Sequence, residues 1–316
     1  MSSIIIQSAG LLTTVQDSGR FGYQRYGMPV SGAMDNFSLQ LANILVGNNP
    51  DEACLETTLS GPAIIFGNEG AIAICGADMR PRINGKPVQL YATIKVKKGE
   101  ILTFEGLKSG SRAYIAFAGG INVPLVMGSR STYLQARVGG FEGRALRAGD
   151  ELALGEVTGN ITITRIPKKI IPKYQDNPTI QIIPGPEIKR FKPEAIQFLL
   201  TKEYIVTDQS DRMGYRLSGK AINQNPANAD IISAGISAGT IQVPGNGQPI
   251  ILMADRPTTG GYSRIANIAS AYLTLTAQLK PGDRIHFREI SLEKAQEMFI
   301  EMKRLIQKLM AGRSYT

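Results

Sequence analysis

Ala71-Ile72-Ala73-Ile74-Cys75, then Thr93-Ile94-Lys95-Val96, Ile101-Leu102-Thr103-Phe104 and Ala113-Tyr114-Ile115-Ala116-Phe117-Ala118: this succession decides the fold class. Each run is short, rich in β-branched residues and cut off by Gly, Pro or charged residues, as strands are. No helix-length segment separates the runs. Their connections are therefore those of antiparallel barrels or sandwiches and not of a doubly wound sheet. The pattern extends outward to Ala63–Phe66 on one side and to 161–165, 180–183, Thr240–Val243 and 249–253 on the other. The expected class is mainly β with a few helices.

The chain has 316 residues, enough for one large or two ordinary domains with a full core. Its net charge of +9 is dispersed. Lys and Arg cluster only at Lys168, Lys169 and Lys173 and at Lys303, Arg304 and Lys308, without interleaved aromatic residues. That excludes nucleic acid and favours small anionic substrates. The opening Met-Ser-Ser-Ile-Ile-Ile has no basic leader region, and no apolar run reaches membrane-spanning length, so the expected place is the cytoplasm, with no membrane. Cys54 and Cys75, without CxxC spacing, read as reduced core thiols.

A weak internal echo suggests two similar halves. Lys97-Lys98-Gly99-Glu100-Ile101 resembles Lys280-Pro281-Gly282-Asp283-Arg284-Ile285, and Ala148-Gly149-Asp150-Glu151-Leu152 has the same form. The expected division is a first barrel region at 1–165, a linker at 166–179 and a second barrel region with a C-terminal helix at 180–316. Three helices are predicted: one capped by Asp35 and ended by Gly47, a short one after Ser263 over 264–271, and one after Ser291. The last carries an apolar stripe, Leu292, Ala295, Phe299, Met302, Ile306 and Leu309, and ends at Gly312.

Two well-known motifs match as strings and fail on context. Gly235-Ile236-Ser237-Ala238-Gly239 fits the nucleophile elbow, but the residues after it read as a strand where the elbow needs a helix. The only base available, His286, is expected to face solvent. Gly214 to Ala221 nearly fits a phosphate loop, yet Ala221 replaces the Mg²⁺-holding hydroxyl and no helix can follow Ile222-Asn223-Gln224-Asn225-Pro226. One histidine and two distant cysteines exclude the common zinc sets, and no metal ligands are assigned. What remains is a set of Gly-flanked loops bearing Asp and Arg, which is how binding loops are built and also how structural turns are made. On loop chemistry, Asp35, Asp78 and Asp255 are the candidate catalytic carboxylates. Asp17, Arg20, Arg130, Arg144, Arg212, Thr258, Thr259 and Tyr262 are the candidate substrate contacts. Arg20, Asp35, Asp78, Asp255 and Thr259 are expected around one cleft.

Read together, these segments resemble the KipA family, the C subunits of 5-oxoprolinase, whose core is also called allophanate hydrolase subunit 2 or a biotin-dependent carboxyltransferase domain. The resemblance runs from Gly10-Leu11-Leu12-Thr13-Thr14-Val15-Gln16-Asp17-Ser18-Gly19-Arg20 through Gly128-Ser129-Arg130-Ser131-Thr132 to Gly260-Gly261-Tyr262 and Leu279-Lys280-Pro281-Gly282-Asp283. It implies two cyclophilin-like β-barrel domains and a partner, the KipI-like B subunit of 5-oxoprolinase, with the A subunit joining them. The implied reaction is ATP-dependent opening of 5-oxo-L-proline, a cyclic amide, to L-glutamate, with ATP and Mg²⁺ shared among the subunits. A chain without a nucleophile–base pair or phosphate loop is expected to be inactive alone. The same resemblance allows a carboxyltransferase component that moves CO₂ to a urea-like amide. No Met-Lys-Met motif is present, so no biotin is attached to this chain. A regulatory antagonist of a KipI-like kinase inhibitor is the third reading. Lys220, Ala234 and Tyr272 depart from the family pattern, where Pro, an acid and Asp are usual.

Overall fold

The computed structural model describes residues 2–157, 162–224 and 230–313. The chain forms two compact units. Unit 1 comprises Met1–Phe21, Ser31–Lys173 and Leu305–Thr316; unit 2 comprises Gly22–Val30 and Tyr174–Arg304. The change at 173/174 lies within the 166–179 stretch, and each unit also takes a segment from elsewhere in the chain.

Unit 1 opens with β1 (Ser3–Ser8), β2 (Leu12–Gln16), α1 (Asn36–Val46), β3 (Cys54–Thr58), β4 (Ala63–Phe66) and β5 (Gly70–Asp78). It continues with β6 (Pro81–Ile83), β7 (Lys86–Pro87), β8 (Thr93–Val96), β9 (Ile101–Phe104), β10 (Ser109–Phe117) and β11 (Glu151–Ala153). Two antiparallel sheets result, in the orders β11-β1-β4-β9-β6-β7 and β2-β3-β10-β5-β8. Ile4, Ile6, Ile64 and Leu102 of the first sheet share one core with Leu55, Ile72, Ile74 and Ile115 of the second. Each such burial contributes about 1.5–3 kcal/mol. Side chains alternate across a strand, so Glu56, Cys75 and Tyr114, paired across β3, β5 and β10, face the other way. Helix α1 covers β5 and β10. Both cysteines are free and buried, and burial pushes their thiols above the usual range. As read from the sequence, Asp35 caps α1 and Gly47 ends it in the left-handed region.

Unit 2 begins with β12 (Thr179–Pro184), α2 (Pro193–Thr201), β13 (Tyr204–Val206), β14 (Gly214–Gly219) and β15 (Asp230–Gly235). Next come β16 (Thr240–Val243), β17 (Ile250–Leu252), β18 (Thr259–Ile268), α3 (Leu273–Ala277) and β19 (Arg284–Glu289), and α4 (Leu292–Arg313) ends the described chain. The order β12-β19-β13-β14-β17-β16-β18 closes on itself, because β18 pairs back to β12. This is a seven-stranded barrel. All its pairs are antiparallel except β12 with β19. Alternate residues such as Ile180, Ile182, Tyr204, Val206, Ile285 and Phe287 are buried, and β15 joins β18 outside the ring.

The mainly-β expectation holds, and three helix readings need comment. Residues 264–271 are not a helix: Ser263 lies within β18, whose ladders to β16 and β12 close the barrel. Helices α2 and α3 went unread. The C-terminal helix runs through Gly312 to Arg313; Ala295 and Ile306 of its stripe are buried, while Leu292 and Phe299 stay exposed. In the stretch 161–165, residue 161 lies outside the described residues and Arg165 makes only an isolated bridge to Ala92.

The echo corresponds to one turn used three times. Gly99, Gly149 and Gly282 sit at φ +81, +91 and +90. The acid after each accepts from the backbone N–H three residues earlier: Glu100 from Lys97 (2.8 Å), Asp150 from Arg147 (2.7 Å) and Asp283 from Lys280 (3.0 Å). Each turn glycine donates to a strand carbonyl, that of Phe66, Ile6 and Val206 in turn.

Candidate functional site

In unit 1 the predicted site residues have structural partners. Asp17 accepts from Gly19 N (2.8 Å), Ser129 Oγ (2.7 Å), Arg130 N (2.5 Å) and Ser131 Oγ. Arg20, fully buried, donates from Nε to Val126 O (2.9 Å) and from Nη2 to Ser131 O (2.8 Å). Together these residues fasten the loop after Gln16 to the loop at 126–131. Arg130 pairs with Glu52 at 2.9 Å. Arg144 forms a two-pronged pair with Asp150 (2.7 and 2.9 Å) and lies over the Phe141 ring.

Asp35 is buried, and its carboxylate accepts from Ser38 N (3.1 Å) and Ser38 Oγ (2.7 Å). Its own N–H donates to Tyr114 Oη (2.7 Å), which donates to Glu56 (2.7 Å). Burial, with Glu56 and Asp35 nearby, pushes the Tyr114 hydroxyl well above its ordinary pKa. Asp78 accepts from Arg80 N (2.9 Å) and meets Lys108 at 3.2 Å. The expectation that Arg20, Asp35 and Asp78 line a common cleft meets a different arrangement: Arg20 ties two loops, Asp35 caps α1 and Asp78 ends β5. Gly-adjacent Asp and Arg serve caps and turns as readily as ligands.

Unit 2 differs. Asp255 and Arg212 form a buried two-pronged pair, Nε to Oδ2 at 2.9 Å and Nη2 to Oδ1 at 3.0 Å. Each therefore answers the other. The same unit holds a cleft of ≈ 400 Å³ lined by Gln24, Pro186, Gly235, Ile236, Ser237, Thr240, Thr258, Arg264 and Asn267, within the size range of small-ligand sites. Of the predicted residues, Thr258 lines it. Thr259 and Tyr262 lie further along β18, opposite Gly235 and Asp230. Gly260 permits the close approach of β18 here, since a Cβ would stand 2.3 Å from Ile236 Cδ1.

The cleft's polar groups are ordered by one another. Thr240 Oγ1 donates to Asn267 Oδ1 (2.8 Å), and Ser237 Oγ lies 3.1 Å from Thr240 Oγ1. Arg264 donates from Nε to Glu187 (2.7 Å) and from Nη1 to Gly235 O (2.8 Å). The bond from Arg264 holds the Glu187 carboxyl below the usual range. Arg256, which sequence reading passed over, donates from Nε to Ile236 O (3.2 Å) and from Nη1 to Met253 O (3.1 Å). Its neighbour Asp255 drew the attention; that Asp255 is taken by a residue 43 positions away is not legible in a linear string.

Ser237 is no elbow nucleophile, because strand β16 follows it and His286 stands on β19, which is not its neighbour in the ring. The near phosphate loop is strand β14. Among the described residues no three His, Cys, Asp or Glu side chains could hold a metal. With β14 extended and four predicted arginines anchored, the residues present do not fit ATP with Mg²⁺ on this chain alone. Of the departures, Ala234 pairs with Gly260 beside the cleft, Lys220 lies over the Phe198 ring and Tyr272 ends a 3₁₀ turn. A larger groove of ≈ 540 Å³ in unit 1, lined by residues such as Val88, Ile94 and Ile163, offers one charged group, Arg165. No helix among the described residues is long and apolar enough to cross a membrane.

The chain is similar in sequence and in structure to known proteins of two names within one family. The family described as carboxyltransferase domain, subdomain A and B, matches residues 26–289. The chain is 38% identical to the C subunit of 5-oxoprolinase from Escherichia coli (strain K12), over 95% of this chain and 96% of that protein. It is 36% identical to urea amidolyase of Lachancea kluyveri, over 98% of this chain but only 18% of that protein. Among solved structures, the K. lactis urea amidolyase superposes with a TM-score of 0.93 at 33% identity, covering 97% of this chain and 20% of that one.

Proposed function

This chain belongs to the carboxyltransferase domain family, subdomain A and B, and from that premise we propose that it is the C subunit of a 5-oxoprolinase. The observation that carries this reading is the match to two bacterial C subunits of 5-oxoprolinase, each 38% identical over at least 90% of both chains. In this reading the chain works in the cytoplasm with the KipI-like B subunit and the A subunit. The complex opens 5-oxo-L-proline to L-glutamate with ATP and Mg²⁺. A lactam carbonyl is a poor electrophile, and ATP would activate it at oxygen. That phosphorylation would release ADP; one water would then open the ring to an acyl phosphate, and a second would hydrolyse it to glutamate and phosphate. ATP belongs to the complex and not to a cradle on this chain alone. The unit 2 cleft, with hydroxyl and amide groups at Ser237, Thr240, Thr258 and Asn267, suits a small amide.

The runner-up, transfer of CO₂ from carboxybiotin to a urea-like amide, has the close superposition on urea amidolyase in its favour. One reconstitution separates the two. Co-expressed with the A and B subunits, the chain should support 5-oxoproline-dependent ATP hydrolysis that no single protein shows. Strong activity from the chain alone would overturn the subunit reading, and urea carboxylation from carboxybiotin without oxoproline turnover would favour the runner-up.

A further inference from the structure

We propose that Asn267 is the hydrogen-bond donor that selects the ligand of the unit 2 cleft, and that it takes the carbonyl oxygen of a small uncharged amide. The amide as ligand rests on the oxoprolinase reading; the donor itself rests on the cleft's own hydrogen bonds. Asn267 and Thr240 stand opposite each other on β18 and β16, and both line the cleft. A hydroxyl carries one proton. Thr240 gives its proton to Asn267 Oδ1 (2.8 Å), so the 3.1 Å contact between Thr240 Oγ1 and Ser237 Oγ is filled by the proton of Ser237. The relay therefore runs from Ser237 through Thr240 and ends on the amide oxygen. With Oδ1 held, the –NH₂ end of the amide is left to meet a ligand. Asn267 Nδ2 donates to none of the described residues and is not among the buried unmatched atoms, so a ligand can reach it.

The relay is fixed at its origin. Gly239, at φ +81, donates to Leu252 O (2.7 Å) and accepts from Ile268 N (2.8 Å), which fastens the turn carrying Ser237 to the residue next to Asn267. Thr240 is buried, so water competes little for its hydroxyl. A donor oriented before the ligand arrives loses less freedom on binding. The other lining groups with a donor to spare are neutral too. Thr258 Oγ1 has no partner among the described residues, and Gln24, whose Oε1 accepts from Gly22 N (3.0 Å), keeps its –NH₂ group. Arg264, the charged residue in the lining, has all three nitrogens bonded, Nε and Nη2 to Glu187 and Nη1 to Gly235 O, and Arg190 also acts on Glu187. Neutral donors match a neutral carbonyl oxygen, whereas carboxylates and phosphates gain most from charged ones.

The test titrates 2-pyrrolidone, pyrrolidine-2-thione (the same ring with sulfur, a weak acceptor, in place of the oxygen), cyclopentanecarboxylate and 5-oxo-L-proline into the full chain, alone and in its complex. Wild type is compared with Asn267→Asp, which keeps the bond from Thr240 but replaces –NH₂ by oxygen, with Asn267→Leu, and with Thr240→Val and Thr240→Ser. Melting temperature is the control. Wild type should prefer 2-pyrrolidone to the thione by roughly 3- to 10-fold, the worth of one neutral hydrogen bond. Both Asn267 variants should erase that preference at unchanged melting temperature. Thr240→Val, which frees the amide to turn, should reduce it, and Thr240→Ser, which keeps a hydroxyl, should restore it. The proposal is overturned if wild type binds neither ring or does not tell oxygen from sulfur, or if either Asn267 variant keeps the preference. It is also overturned if cyclopentanecarboxylate binds as tightly as 2-pyrrolidone and Asn267→Leu removes that binding. A preference that the Asn267 variants abolish, in a complex that never couples 5-oxoproline to ATP hydrolysis, would retain this donor and remove only the proposed reaction.

Discussion

Gly-flanked loops bearing Asp and Arg occur in both units, and the structure pairs them at different depths: the side chains of Arg212 and Asp255 in unit 2 are each 6% exposed, those of Arg130 and Glu52 in unit 1 28% and 26%. In unit 1, Asp17 gathers four donors, Arg20 is buried against two carbonyls, and Arg130 and Arg144 each meet a carboxylate. These groups are engaged in holding loops together. In unit 2 Asp255 forms a two-pronged pair with Arg212, and Arg256 donates to the carbonyls of Ile236 and Met253. Residue type does not distinguish the two cases. Pairing does, and pairing is decided by strands that lie far apart in sequence.

The largest expected contrast comes from removing one carboxylate in each unit. Asp255→Ala strands Arg212 in a pair whose side chains are each 6% exposed and should lower stability by about 3–5 kcal/mol. Glu52→Ala breaks a pair whose side chains are 28% and 26% exposed and should cost less than about 1 kcal/mol. Urea denaturation measures both; equal losses would erase the contrast. If Asp255 is instead a catalytic carboxylate and not a scaffold for the arginines, activity should fall without that loss of stability.

A smaller effect probes what the units share. Gly149→Ala and Gly282→Ala place a Cβ at φ +91 and +90 in the same turn and should each cost about 1–2 kcal/mol. A loss at only one site would show that the common turn is held differently in the two units.

The smallest effect separates the turns by pH. In unit 1 the bond from Arg144, acting against burial, lowers the Asp150 pKa. This stability is present above the unfolded value near 3.9 and is lost as pH falls through the lower folded value. In unit 2, burial tends to lower Lys280, but bonds to Asp176 and Asp283 outweigh it and raise the pKa. That contribution is present below the unfolded value near 10.4 and is lost as pH rises through the folded one. Asp150→Asn should therefore flatten the acid limb of the stability profile and Asp283→Asn the alkaline limb, each by about 1 kcal/mol or less. Interchanged limbs would refute the assignment.

Local chemistry was readable in the sequence. Strands such as Ala63–Phe66, Thr93–Val96 and Thr240–Val243 begin and end where their β-branched runs do, and the Asp35 and Gly47 caps depend on neighbouring residues alone. What depended on distant partners was not readable. The Ala-rich stretch after Ser263 has helical composition, yet it is needed in the barrel wall between β12 and β16, and sheet context overrides propensity. The partners of the candidate site residues were hidden for the same reason: Asp17 is met by Ser129, Ser131 and the Arg130 amide, more than 110 positions away, and Arg20 by the carbonyls of Val126 and Ser131. Asp255 is explained only when Arg212 is placed.

The parallel pairing of β12 with β19, Thr179 opposite His286, sets an order of events during synthesis. The barrel's first strand must wait for its last, and at about 5–20 residues per second the ribosome needs roughly 5–20 s to supply it. Until first β18 and then β19 are made, β12 lacks the neighbours that will cover its edges, and non-local pairing of this kind folds slowly. The nascent chain is thus most open to misassembly just before its barrel can close.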